Sequence, residues 1–181
     1  DVYKRQAYYD RLPSIVQKYM QKINELRGTA YDLVTYHGDP EAEEVIVSMG
    51  SVAQTIEQTV DYLNKNGRKV GFLNIHLYRP FPIENLLEKL PESTKAIAVL
   101  DRSKEPGAGG EPLLLDVQSA LYDADIRPKV IGGRYGLGSK DVTPDQIISV
   151  YDELQKEKRD MKKRFTIGIV DDVTYQSLEK R

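Results

Sequence analysis

The 181-residue sequence has no cysteine, no tryptophan, three phenylalanines and two histidines. Without cysteine, this stretch carries no disulfide, no thiolate-ligated zinc and no iron–sulfur cluster. His37 and His76 have neither a paired ligand nor a nucleophile near them in the chain and read as structural residues. No apolar run approaches the roughly 20 residues that a membrane-spanning helix requires. A basic-plus-apolar leader is also missing, so nothing signals secretion. The 26 basic and 28 acidic residues are mixed along the chain and nearly cancel, leaving no broad basic footprint for nucleic acid.

What is present is a composition 40% hydrophobic and 30% charged, that of a globular domain with appendages. Asp1 is not an initiator methionine, and the last residues open a new apolar pattern, so a piece of a longer polypeptide is expected. Leu12, Ile15, Val16, Tyr19, Met20, Ile23 and Leu26 form the stripe of an amphipathic helix over 8–27 that stops at Gly28. Residues 31–36 follow as a short extended segment, and His37-Gly38-Asp39-Pro40 is turn chemistry.

From Glu44 the periods alternate. Strands are expected at 45–49, 70–75, 96–100 and 129–131. Helices follow the first three at 52–63, 83–90 and from Pro112 to about Asp123, and the fourth after Thr143. Ser51 with Gln54, and Thr143 with Gln146, are candidate capping boxes, the second with Pro144 at the first helical position. Apolar strands alternating with helices predict a three-layer α/β domain, an open and mainly parallel sheet covered on both faces. The expected division is 1–43 as the end of a preceding domain, 44–158 as the α/β domain, and 159–181 as a linker and the start of another unit. Residues 156–164 have no apolar face and read as a solvated helix end or linker.

In such a sheet the strands' carboxyl ends share one rim, where open α/β sheets bind ligands. The most informative loop there is 100–112, with Gly107, Gly109 and Gly110 between a strand and a helix amino end, a place that favours anions. It does not complete a dinucleotide fingerprint, because the third glycine or its alanine substitute would fall at Pro112. No Walker phosphate loop occurs either. A nucleotide- or anion-binding module built on 107–110 is therefore the alternative reading, and glycines shaping a domain contact the preferred one. Gly132 to Gly138 is a second glycine-rich turn. The candidate rim and interdomain contacts are Arg79, Asp101, Arg102, Lys104, Gly107, Gly109, Gly110, Arg134 and Lys140, with Glu105 and Glu111 beside them. Exposed ion pairs add only about 0–1 kcal/mol each, so their clustering favours recognition over fold maintenance. Ser51 and Ser103 lack a nucleophile-elbow context and read as cap and turn residues.

Four blocks, 45–52, 76–82, 100–112 and 132–140, together resemble the pyruvate:ferredoxin (flavodoxin) oxidoreductase family, matching its second domain, which is similar to the transketolase carboxyl-terminal domain. The resemblance implies a cytoplasmic, homodimeric parent enzyme that converts pyruvate and coenzyme A to acetyl-CoA and carbon dioxide while reducing ferredoxin or flavodoxin. It implies thiamine diphosphate with Mg2+ and [4Fe-4S] clusters in that parent, all bound by other domains. No catalytic, cofactor or metal-ligating residue transfers to this stretch, whose implied role is that of an interdomain scaffold, with its rim loops against neighbouring domains or near the coenzyme A approach.

Overall fold

The apolar runs read as doubly buried strands are buried on both faces in the computed structural model, which describes residues 3–122 and 124–178. Val45–Val47 and Ala96–Leu100 are at most 2% exposed. In chain order the strands are β1 (Val34–Gly38), β2 (Glu44–Ser48), β3 (Val70–Ile75), β4 (Ala96–Asp101), β5 (Lys129–Arg134), β6 (Arg164–Thr166) and β7 (Gln176–Ser177). The helices are α1 (Gln6–Arg27), α2 (Ala53–Lys65), α3 (Ile83–Lys89), α4 (Pro112–Tyr122) and α5 (Pro144–Leu154). Asp123, the expected end of α4, lies outside the described residues.

The strands form one sheet in the order β1-β3-β2-β4-β5-β6-β7. Every neighbouring pair is parallel except β1 with β3, which is antiparallel with Val34 opposite Ile75. Because β3 lies on one side of β2 and β4 on the other, the topological switch falls between β2 and β4. Two apolar layers sandwich the sheet. Ile56, Val60 and Leu63 of α2 and Ile147, Tyr151 and Leu154 of α5 pack with Ile46 and Phe72 on one face. Leu86 of α3 and Leu113, Leu114 and Val117 of α4 pack with Val45, Leu73 and Val99 on the other. This is the expected three-layer α/β architecture, with an antiparallel strand added at one edge.

Both flanking segments join the sheet. Residues 34–38 supply β1, so His37 and Gly38 are strand, and the turn begins at Asp39, whose carbonyl accepts the Ala42 N–H at 3.1 Å. Residues 164–166 and 176–177 supply β6 and β7, aligned on β5. α1 ends as read, at Gly28 in the left-handed region with φ 65°, but none of its residues is buried. Among the described residues no helix is long and apolar enough to cross a membrane.

Two local expectations differ from what forms. Ser51 does not cap α2: the chain enters through a 3-10 turn at Gly50–Val52, which leaves Val52 at the N-cap with no side-chain hydrogen bond. The Thr143 box does form, with Pro144 inside it and the Gln146 side chain accepting the Thr143 N–H at 3.1 Å. Gly132 and Gly133 are strand residues of β5 rather than a turn, because their neighbours press against the backbone from both faces. A Cβ on Gly132 would stand 2.4 Å from Leu114 Cδ2, and one on Gly133 would stand 2.4 Å from Phe165 Cε2 and 2.7 Å from Leu100 Cδ2. Phe165 and Leu100 are buried and have little room to yield. Gly133→Ala is therefore expected to lower stability by about 1–3 kcal/mol through overpacking, read as a fall in the urea midpoint at unchanged slope.

Candidate functional site

At the carboxyl rim of the sheet, the 100–112 loop is built around Asp101. This last residue of β4 is 2% exposed, and its two carboxylate oxygens accept the N–H groups of Leu113 and Leu114 at 3.1 Å each. The carboxylate thus sits on the amino end of α4, where free N–H groups and the helix dipole favour negative charge. Burial pushes the Asp101 carboxyl up to about 6 even though the two N–H bonds pull the other way. The glycine turn lies outside this cap: Gly107 has φ +82°, and a Cβ on Gly107 or Gly109 would meet nothing within 4 Å. Gly110 tucks inward against Leu114, and the Gly109 carbonyl accepts from Arg164 at 3.1 Å. The α4 terminus that a phosphate on this turn would need is already taken by a fixed anion, so the nucleotide- or anion-binding reading of 107–110 is not favoured.

Arg134, the last residue of β5, is the second anchor. Its Nε donates to Glu111 Oε1 at 2.6 Å, and its NH1 group donates to Asp172 Oδ2 at 2.8 Å and Thr174 Oγ1 at 2.6 Å. The guanidinium lies 3.5 Å from the Tyr175 ring centroid, and the Tyr175 hydroxyl donates to Glu111 Oε2 at 3.2 Å. The Arg134, Glu111 and Asp172 side chains are at most 5% exposed. Burial alone would push the Asp172 carboxyl up, but hydrogen bonds from Thr174 and from the Arg134 guanidinium hold it well below the usual carboxylate range. This network fastens the chain after β6 onto the rim. The sequence places Glu111 and Arg134 at the rim but not Asp172, Thr174 and Tyr175. The signal available for them was the Asp-x-Thr spacing at 172–174, which makes a local turn with the Thr174 and Tyr175 N–H groups on Asp172 Oδ1.

The remaining rim residues are more open. Arg102 is exposed, and its Nε donates to the Gly136 carbonyl at 3.1 Å while NH1 reaches Ser51 Oγ at 3.4 Å. A cleft of about 220 Å3 opens here between the loops after β2, β4 and β5, lined by Ser51, Arg102, Tyr135, Ser139 and Lys140 among others. It lies at the topological switch, where ligands of such sheets enter. Lys140 pairs with Asp171 at 2.6 Å, and Tyr135 donates to the Met49 carbonyl at 3.2 Å. Arg79 pairs with Asp116 of α4 at 2.8 Å and lies 3.9 Å from the Tyr78 ring centroid. Lys104 and Glu105 are exposed.

The structure therefore brings Arg102 to Ser51, Arg134 to Glu111 and Lys140 to Asp171, and leaves Arg79 and Lys104 apart from that cluster. Asp101, Glu111 and Arg134 face inward, so part of the rim charge maintains the fold. His37 pairs with Asp61 at 2.7 Å, and His76 Nε2 stands 3.1 Å from Thr35 Oγ1 at the β1 edge, a contact not foreseen from the sequence. No group of three or more His, Cys, Asp or Glu suited to a metal occurs among the described residues. With no thiolate in the sequence the donor set does not fit an iron–sulfur cluster, and Asp101 across the α4 terminus leaves the glycine turn without free N–H groups for a diphosphate.

Residues 42–147, more than half the chain and containing β2 through β5 with the loops that follow them at the rim, match the family model described as pyruvate:ferredoxin oxidoreductase core domain II. The chain belongs to this family. Among relatives, it is 53% identical over 172 residues to a pyruvate-flavodoxin oxidoreductase of Enterobacter agglomerans, covering 94% of this chain and 14% of that protein. It is 50% identical over 172 residues to the pyruvate:ferredoxin oxidoreductase of Moorella thermoacetica, covering 95% of this chain and again 14% of that protein. The core domain II chain thus spans about one seventh of the length of these oxidoreductases. Among solved structures, a 2-oxoglutarate:ferredoxin oxidoreductase from Magnetococcus marinus, with 2-oxoglutarate, coenzyme A and succinyl-CoA bound, shares the fold. The TM-score is 0.51 at 17% identity, over 78% of this chain and 23% of that one.

Proposed function

We propose that this chain is a non-catalytic core domain of a pyruvate:ferredoxin or pyruvate:flavodoxin oxidoreductase. The parent polypeptide would convert pyruvate and coenzyme A to acetyl-CoA and carbon dioxide, passing the electrons to ferredoxin or flavodoxin. Thiamine diphosphate with Mg2+ and [4Fe-4S] clusters would be held by other domains of that cytoplasmic, homodimeric enzyme, and no step is assigned to residues of this one. In this reading residues 1–43 continue from a preceding domain, 44–158 form the α/β body, and 159–181 lead towards the next. The open rim residues Arg79, Arg102, Lys104, Gly107, Gly109 and Lys140 meet neighbouring domains, while Asp101, Gly110 and Arg134 hold the loops that present them.

The observation that carries the proposal is identity of about half over 94% of this chain to pyruvate-flavodoxin oxidoreductases of which it spans 14%. The occupied amino end of α4 adds support, since Asp101 already accepts the Leu113 and Leu114 N–H groups beside the glycine turn. The test is to extend the reading frame in both directions and assay pyruvate- and coenzyme A-dependent reduction of a viologen dye. The extended protein is expected to turn over and the 181-residue chain to be silent. Dye reduction by the short chain, or none by an extended protein loaded with its cofactors, overturns the reading.

A further inference from the structure

The Asn74 side chain on β3 is 8% exposed, and its amide oxygen is sealed from solvent with no hydrogen-bond partner among the described residues. Thr35 of β1 and Ser48 of β2 stand beside it in register, on the same face of the sheet. Both are engaged elsewhere. Ser48 donates to the Leu100 carbonyl at 3.0 Å, and Thr35 Oγ1 stands 3.1 Å from His76 Nε2. Buried polar atoms are paired almost without exception, so this acceptor asks for a donor. Asn74 forms part of the floor of an open cleft of about 800 Å3 at the sheet edge, between α1, β1 and α2. The terminal torsion of an amide is soft, so the oxygen can turn to meet a donor that enters there.

The charges around this cleft are unevenly matched. Its lining carries the carboxylates Asp32 and Glu57 against a single lysine, Lys89. Lys89 is held by Asp32 at 2.8 Å and His37 pairs with Asp61 at 2.7 Å, while Glu57 has no cation within ion-pair distance among the described residues. Lys18 and Lys22 of α1 lie outside the lining, and Lys22 sits 5.5 Å from the Tyr19 ring centroid. Burial pushes the His76 ring down against the pull of Glu57 and Asp32, so it brings no positive charge at pH 7. Tyr31, 50% exposed, supplies an aromatic wall set at 75° to the His76 ring. An acceptor without a donor, a carboxylate without a cation and an open aromatic face are the complement of one chemical group. A guanidinium is a planar cation with several N–H donors and no acceptor, and it stacks on aromatic rings. An ammonium offers charge without the plane, and an anion would meet Glu57.

We propose that the cleft floored by Asn74 is a guanidinium-binding site, in which Glu57 supplies the counter-charge, the Asn74 amide oxygen accepts an N–H bond and Tyr31 provides the stacking face. Two sources carry that group: a free small guanidino compound, and an arginine side chain from elsewhere in the same polypeptide. The site stands apart from the oxidoreductase reading, since its test involves no turnover.

Calorimetric titration of the 181-residue chain with propylguanidinium chloride, and with propylammonium chloride in parallel, tests the proposal. Propylguanidinium is expected to bind with a Kd of about 1 mM, several-fold tighter than propylammonium. At ten times that Kd it should slow amide exchange over residues 29–35 by about tenfold. Glu57→Gln should weaken binding by about tenfold, and Tyr31→Ala and Asn74→Leu by about threefold or more each. Asn74→Leu should leave the unbound chain at least as stable as wild type, because it removes an unpaired buried acceptor. Glu57→Gln and Tyr31→Ala, at less buried positions, keep the test standing if Asn74→Leu does not fold. The protein made from the extended reading frame separates the sources. Binding retained there assigns a free guanidino ligand, whereas binding lost, with residues 29–35 already protected and that protection removed by Glu57→Gln, assigns an arginine of the polypeptide. Loss of binding there without this Glu57-dependent protection overturns the proposal. So does an absence of saturable binding to the 181-residue chain, equal affinity for the two cations, or an affinity unchanged by Glu57→Gln.

Discussion

Arg134→Ala is expected to destabilise the chain by about 3–5 kcal/mol, the largest effect of any single substitution considered, because it strands two carboxylates in a nearly dry site. Glu111 and Asp172 are at most 5% exposed and depend on the guanidinium for charge compensation, and Tyr175 loses the planar cation against its ring. Urea unfolding at pH 7 reads the loss directly. Acid titration adds a second signature. The folded-state Asp172 carboxyl is held below its unfolded value of about 3.9, so its contribution is fully present above that pH and is lost as the pH falls through the folded value. In Arg134→Ala the depression is gone, and the gap between wild type and variant should narrow below about pH 4. A variant as stable as wild type at pH 7 would mean that the network is an ornament of the surface.

Asp101→Ala is expected to cost about 1–2 kcal/mol at pH 7, since the buried Leu113 and Leu114 N–H groups lose their acceptors. Its pH dependence has the opposite sign. Asp101 titrates at about 6 in the folded chain against about 3.9 unfolded, so the folded state binds the proton more tightly. Its contribution is greatest below about pH 4, declines as the pH rises to about 6, and is level above that. The cost of Asp101→Ala should therefore grow on acidification from pH 7 to pH 4, whereas that of Arg134→Ala should shrink below pH 4. Asp101→Asn keeps one acceptor oxygen and should cost less at pH 7 while abolishing the titration. A cost that falls between pH 7 and pH 4 refutes the assigned direction.

The two anchors also show where sequence reasoning stops. Strands such as Ala96–Asp101 and helices such as Pro144–Leu154 were legible because apolar period and capping are local properties. Arg134 and Asp172 are 38 residues apart, and Asp101 reaches N–H groups 12 and 13 residues ahead, so neither partnership leaves a periodic trace. Gly-Gly-Arg at 132–134 carries every mark of a turn, and only the presence of Leu114, Phe165 and Leu100 against the backbone makes it strand. The Ser51 box failed for a geometric reason, as the 3-10 turn at Gly50–Val52 shifts the start of α2 by one residue. At the rim, residue types and their gathering at one edge were legible, and which charges turn inward was not, because burial is decided by packing across the whole sheet.

The short strands β6 and β7 have a consequence for self-association. A bare β5 would offer a six-residue edge, Lys129–Arg134, whose side chains are mostly small or aliphatic and whose backbone is open at two successive glycines. Such an edge is a template for pairing with another chain. β6 covers it with three residues and β7 ends the sheet with two, while β1 closes the opposite edge in antiparallel sense. Arg134 holds the covering segment in place through Asp172 and Thr174, so the ionic network that fastens the rim also guards the sheet against aggregation.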